Sequence, residues 1–158
     1  MLCGVVEGMP RKTRENAAGT VHHVYARGVD GLTIFSDDVD RRLYVRLLSE
    51  VTMSFEWQRF AYCLMTNHVH LLVKTAEPTL ALGMQSLHGR YAQRFNFRHD
   101  RKGHLFQGRY GSTRIISDEH FHAAARYIAR NPVEAGLCAT PEDWRWSDYP
   151  AGLVVAHA

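Results

Sequence analysis

Cysteine is scarce and poorly spaced for covalent or metal work. Only three occur, Cys3, Cys63 and Cys138, an odd number with no CxxC spacing. That argues against a disulfide framework or a cysteine zinc site, and fits a reducing cytoplasm. No run approaches the roughly 20 apolar residues a membrane helix needs, so no membrane partner is expected. The opening "MLCGVVEGMP" has neither a basic lead nor a small-residue cleavage site behind it. No signal peptide is read there. Internal repeats and low-complexity tracts are also missing. Acid is scarce in one region: between His88 and Arg114 stand Arg90, Arg94, Arg98, Arg101, Lys102, Arg109 and Arg114, opposed only by Asp100.

What remains is a globular composition. With 46% hydrophobic and 22% charged residues, a chain of 158 residues can bury one proper core and is short for two domains. The net charge of +3 says little as a total. Its distribution says more, because a basic middle carrying aromatic residues suits a phosphate backbone. A solvated charged helix face accounts for the same charges without any partner.

Residues 1–16 carry no periodicity and read as a flexible N-terminal extension, followed by a single domain over 17–150 and a C-terminal tail over 151–158. "GTVHHVYARG" is rich in β-branched and aromatic residues and predicts a strand ending at Gly28. Ser36 is a candidate N-cap, with Asp37 and Asp38 in the first turn of a helix reaching about Thr52. "SFEWQRFAYCLMTNHVHLLVKT" predicts two strands joined by a turn around Thr66-Asn67. After Pro78, Leu80, Met84, Leu87, Tyr91 and Phe95 recur at helical spacing, with Arg90, Arg94 and Arg98 as a basic ridge beside them. "FQGRYGSTRII" predicts an extended segment leading to Ser117, the N-cap of a helix that should stop at Pro132. This order suggests an α+β, ferredoxin-like sandwich: a mainly antiparallel sheet of four or five strands with helices packed on one face.

The most informative stretch is "TNHVHLLV" at 66–73. Strand alternation puts Val69, Leu71 and Val73 on one face, and His68 and His70 on the other. The two imidazoles are about 6.6 Å apart at the backbone, close enough for their nitrogens to converge on one ion. A histidine pair alone does not make a metal site. Leu72 stands where a third alternating histidine would be, so partners must come from elsewhere. In the last helix, Ala124, Ala125 and Ile128 share an apolar stripe, while His120, Tyr127 and Asn131 lie on an adjoining flank. Tyr127 and Asn131 are one turn apart and can address the same place. A packing tyrosine and a helix-end asparagine before proline are the plainer roles for them.

Four segments together, "MTNHVHLLV", "LHGRYAQRFN", "GHLFQGRY" and "RYIARNPVEAGL", resemble the single-tyrosine HUH transposases. The likeness is to the REP-associated tyrosine transposases, relatives of the insertion-sequence-200-like enzymes, and runs from about Gly19 to Tyr149. It implies a divalent metal on His68 and His70, a nucleophile at Tyr127 and a further ligand at Asn131. It also implies cleavage and rejoining of single-stranded DNA beside imperfect hairpins, and leaves both a monomer and a homodimer with shared sites open. His120 matches no family role.

A free tyrosine, with a pKa of about 10, is a modest nucleophile at neutral pH, so a cation that screens the phosphate makes chemical sense. The resemblance implies Mg2+ or Mn2+, and imidazole ligands tilt the choice towards manganese. Arg90, Arg94, Arg98, Arg101, Lys102 and Arg109 are candidate phosphate contacts, and Tyr110 joins Arg109 as a candidate on the DNA surface. Tyr91, Phe95, Phe106, Trp144 and Trp146 are either stacking platforms or core, with packing favoured for the first two. A non-catalytic hairpin DNA or RNA-binding module, and a metal-dependent phosphodiesterase using water, are the competing functions.

Overall fold

A computed structural model describes residues 17–152. The expectations of a flexible extension over 1–16 and of a tail beyond residue 152 lie outside the described residues. Five strands form one sheet: β1 (Thr20–Arg27), β2 (Trp57–Leu64), β3 (His68–Thr75), β4 (Gly111–Ile115) and β5 (Ser147–Asp148). They lie in the order β4-β1-β3-β2-β5, and every neighbouring pair is antiparallel. Three helices accompany them: α1 (Asp38–Ser54), α2 (Leu80–Arg98) and α3 (Asp118–Glu134). The fold is α+β, with the ferredoxin-like succession from β1 to β4 at its centre. Among the described residues, no helix is long and apolar enough to cross a membrane.

The alternation read in "HVHLLV" decides how the layers stack. Val69, Leu71 and Val73 face α1 and α2 in one core with Leu47, Leu48, Leu87 and Tyr91. Leu72 faces the other way, into a smaller core with Ala61, Cys63, Ala124, Ala125 and Ile128. The two helices of the ferredoxin-like unit thus share one face, and α3 takes the opposite one. The reason is legible after the fact. β2 and β3 are apolar on both faces, so each face needs a cover. Leu71 and Leu72 are both fully buried, each worth about 2 kcal/mol of hydrophobic burial.

Two helix ends differ from the sequence expectation. Asp37 caps α1 instead of Ser36, its side chain accepting from the Asp40 N–H at 3.1 Å. Ser36 gives its own N–H to Asp40 Oδ2. Helix α3 runs through Pro132 to Glu134. It ends where Gly136 adopts φ +73°, with Leu137 N–H bonded to Pro132 O and Gly136 N–H to Val133 O. This is a Schellman closure. Proline costs a helix one hydrogen bond and some crowding, but a buried Pro132 in the last turn, followed by such a stop, is accommodated. Asn131 therefore sits inside the helix, with its carbonyl accepting from Ala135 N–H at 3.0 Å.

Beyond α3 the chain makes a single 3-10 turn, Pro141–Asp143, and then adds β5 beside β2. Trp144 donates its indole N–H to Leu64 O at 3.1 Å, and Trp146 packs on the larger core.

Candidate functional site

Pairing of β1 with β3 builds the floor of the site. Arg27 lies opposite His68, Tyr25 opposite His70 and His23 opposite Leu72. Direct cross-strand partners project to the same face. β1 therefore adds an imidazole, a phenol and a guanidinium to the two histidines of β3. The roof is α3, which reaches the sheet through small residues, Ala124 and Ala125, packed against Ala61, Cys63 and Leu72. Tyr127 and Asn131 then hang over the histidines from the flank foreseen for them.

The distances are short. His68 Nε2 lies 3.1 Å from Asn131 Oδ1, and His68 Nδ1 lies 2.7 Å from Asn67 Oδ1. The rings of His68 and His70 are 5.1 Å apart, and those of His70 and Tyr127 are 5.4 Å apart. Asn131 is thus brought to His68 as an interior helical residue, whereas the sequence suggested a terminal one. His120, on the same helix, works at its start. Its Nδ1 accepts from Ile116 N–H at 3.3 Å and its N–H donates to Ser117 Oγ.

His23 was not singled out as a site residue from the sequence. Its Nε2 is 3.1 Å from His70 Nδ1, and its ring stands edge-on to Tyr127 at 5.7 Å. The only local signal was the "HH" at 22–23, and alternation sends His22 the other way, towards Thr20. Strand order, which is not local, was needed to place His23 beside His70.

Burial keeps these imidazoles neutral. It lowers His70 to about 3, with the charges of His23, His68 and Arg27 pushing the same way. It lowers His23 to about 4, and it lowers His68 against an opposing contribution from Asn131. Neutral imidazole is the form that ligates a cation. His70 Nε2 is buried without any hydrogen-bond partner. A neutral His68 has one N–H, and its shorter contact to Asn67 takes it at Nδ1. Its Nε2 lone pair then faces the Asn131 oxygen, an arrangement that a shared cation would satisfy. Two donors held at right angles about 2.1 Å from one ion are about 3 Å apart, close to the separation found. Among the described residues, no three His, Cys, Asp or Glu side chains are grouped to hold a metal ion. The donor set that fits is two imidazoles and an amide.

A cavity of about 530 Å³ opens beside this group, with Tyr25, Arg27, Gln107 and Arg109 in its walls and no carboxylate among them. Arg109 is therefore at the site. Tyr110 is not a surface residue: just before β4 it is buried in the larger core, while its neighbour Arg109 is exposed. The ridge of Arg90, Arg94 and Arg98 rides on α2, across the sheet from the histidines. Arg90 pairs with Glu50, and Arg98 clamps Asp37 and Asp40. Arg101 is tied to Asn96 and to His104 O, while Lys102 is exposed on the same turn. Tyr91, Phe95 and Phe106 are core residues.

A family model described as transposase, IS200-like, matches residues 21–131. No curated protein matches the chain significantly. Among solved structures, the chain is similar to a REP-associated tyrosine transposase bound to a REP hairpin, at 16% identity and a TM-score of 0.75. The match covers 88% of this chain and 82% of that one. A protein from Deinococcus radiodurans R1 assigned as a transposase is similar at 21% identity and a TM-score of 0.51, over 77% of this chain and 97% of that one. At these identities the structural likeness is one of fold.

Proposed function

The chain belongs to the IS200-like transposases, and from that premise we propose that it cuts and rejoins single-stranded DNA beside imperfect hairpins. Tyr127 is the nucleophile, and His68, His70 and Asn131 hold a divalent cation, Mg2+ or Mn2+. What supports this best is the meeting of two segments some sixty residues apart, with His68 Nε2 3.1 Å from Asn131 Oδ1 and the Tyr127 ring beside His70. Hairpin DNA as substrate is supported by the REP hairpin bound to one protein of similar fold.

A cation bound there would screen the scissile phosphate and ease departure of the leaving oxygen. The chain's own residues do the rest. His23 Nε2 accepts the Nδ1–H of His70, which leaves His70 Nε2 as the lone pair facing the site. Tyr127 Oη attacks phosphorus, giving up its proton to solvent as the new P–O bond forms. The bond from phosphorus to the 3′ oxygen breaks, and that oxygen takes up a proton and departs as a 3′-hydroxyl. The resulting 5′-phosphotyrosine conserves the ester bond. A second 3′-hydroxyl then attacks it, remaking a phosphodiester and restoring the tyrosine without ATP. Arg94, Lys102 and Arg109 remain candidates for phosphate contacts, with affinity that falls as salt rises.

The test is a denaturing gel after incubation with a hairpin oligonucleotide and Mn2+. The wild type should carry a covalent strand, and Tyr127→Phe should not. Cleavage without an adduct would point to water as nucleophile, and binding without cleavage to a non-catalytic module.

A further inference from the structure

Tyr25 and Tyr127 are the two exposed tyrosines in the cavity of the candidate site, and Tyr25, at 46% exposure, has no part in the chemistry proposed for Tyr127. Most other tyrosines near the sheet are spent on packing. Its ring lies on Gly111 of the neighbouring strand: a Cβ at position 111 would come within 2.3 Å of two Tyr25 ring atoms. The register agrees, since Tyr25 pairs directly with Gly111 on one side and with His70 on the other. Glycine is thus the residue that lets a phenol lie down beside the histidines. The edge of His23 meets this ring at 5.9 Å and an angle of 63°. One cross-strand step along β1, Arg27 lies opposite His68, and Arg109 shares the cavity wall. Both arginines are exposed, and the wall contains no acid to neutralise them.

A flat, open aromatic face beside unneutralised cations matches one kind of ligand, an unpaired base attached to a phosphate. We propose that Tyr25, seated on Gly111, is a nucleobase-stacking subsite for the nucleotide next to the scissile phosphate, and that Arg27 binds that nucleotide's phosphate. The subsite rests on the reading that a DNA single strand enters this cavity, and it does not require that the strand be cut. It gives the strand a direction across the sheet, from the Tyr25 platform past His70 towards Tyr127. Stacking tolerates any base, so the subsite holds position without specifying sequence.

The experiment measures affinity in full-length protein carrying Tyr127→Phe, so that binding is read without turnover. Two probes are compared by fluorescence anisotropy: a hairpin with a short single-stranded thymidine flank, and the same hairpin with an abasic flank. The thymidine flank should bind more tightly, by roughly 5- to 100-fold. Tyr25→Ala should erase that preference while leaving the abasic affinity in place, and Tyr25→Phe should keep it. Gly111→Ala should mimic Tyr25→Ala by lifting the ring, with a melting curve to verify folding. Arg27→Gln should weaken both probes alike and lower the salt slope by about 1. A base preference that survives Tyr25→Ala overturns the subsite, whatever the wild type does to DNA. A wild type that forms no adduct, with the Tyr25-dependent preference intact, overturns the cleavage reaction and leaves the subsite standing.

Discussion

Two sets of arginines lie on opposite sides of the sheet, and their surroundings set them apart more than their number. On the α1–α2 side, Arg90 meets Glu50 at 2.5 Å, and Arg98 meets Asp37 at 2.6 Å and Asp40 at 2.8 Å. Hydrogen bonding from Arg98 holds the Asp37 carboxyl down at about 2, below its ordinary value. These arginines join two helices. On the α3 side, Arg27 and Arg109 stand in a cavity wall without an acid, beside His68, His70 and Tyr127. Of the dense basic run in the sequence, Arg90 and Arg98 are already paired in the fold, whereas Arg109 faces no acid in the cavity wall. Charge density along a chain shows how much cation there is, and counter-ions in space show how much is left for a ligand.

The two faces should respond differently to substitution, and the largest contrast comes from the nucleophile. Tyr127→Phe should abolish the covalent adduct while leaving melting temperature and strand affinity unchanged, because the side chain is half exposed and no core depends on its hydroxyl. Loss of affinity together with the adduct would erase the distinction between chemistry and scaffold. On the sealed face, Leu71→Ala should cost about 2–5 kcal/mol in urea denaturation, with activity per folded molecule retained. A similar loss of stability from Tyr127→Phe would break the contrast from the other side.

His23 supplies an intermediate test. Its replacement by alanine should weaken Mn2+ binding roughly 10- to 100-fold, since His70 would lose the acceptor that fixes its tautomer. Titration calorimetry reads this directly, and an unchanged affinity would reduce His23 to packing. The α1–α2 face has its own imidazole, His88, which shares a hydrogen bond with the Tyr44 hydroxyl at 3.0 Å and stacks on Phe106. Burial lowers it to about 3 from an ordinary 6.5. Between those values the unfolded chain binds the proton and the folded one does not, so stability rises with pH. It should be fully present above about pH 6.5 and fall progressively towards pH 3. His88→Gln should flatten that slope in denaturation curves taken across the window. The smallest effect is expected on the paired ridge. Arg90→Ala should leave the salt slope of DNA binding almost unchanged, whereas Arg27→Gln lowers it by about 1.

Much of this was legible in the sequence where the cause is local. Period-two alternation placed Val69, Leu71 and Val73 against His68 and His70, and helical spacing put Leu80 to Phe95 in the core. One helical turn put Tyr127 and Asn131 on a common flank, and the fold brings that flank to His68 and His70. Proximity in sequence failed where the cause is tertiary. The cover on each sheet face is set by which strands are apolar on both sides, and α3 therefore went opposite α1 and α2. Pro132 was read as a stop, yet the Schellman closure at Gly136 ends the helix instead. His23, Tyr25 and Arg27 come to the site only through the β1–β3 register, which a strand pattern alone does not give.

The central claim is that Tyr127 carries the DNA strand. Trypsin cutting after Arg126 and Arg130 isolates it as the peptide Tyr127–Arg130. After reaction with a hairpin oligonucleotide and Mn2+, followed by nuclease and trypsin, mass spectrometry should find nucleotide mass on that peptide, attached at the phenol oxygen. Nucleotide on any other peptide, or an adduct that forms in Tyr127→Phe, would contradict the account.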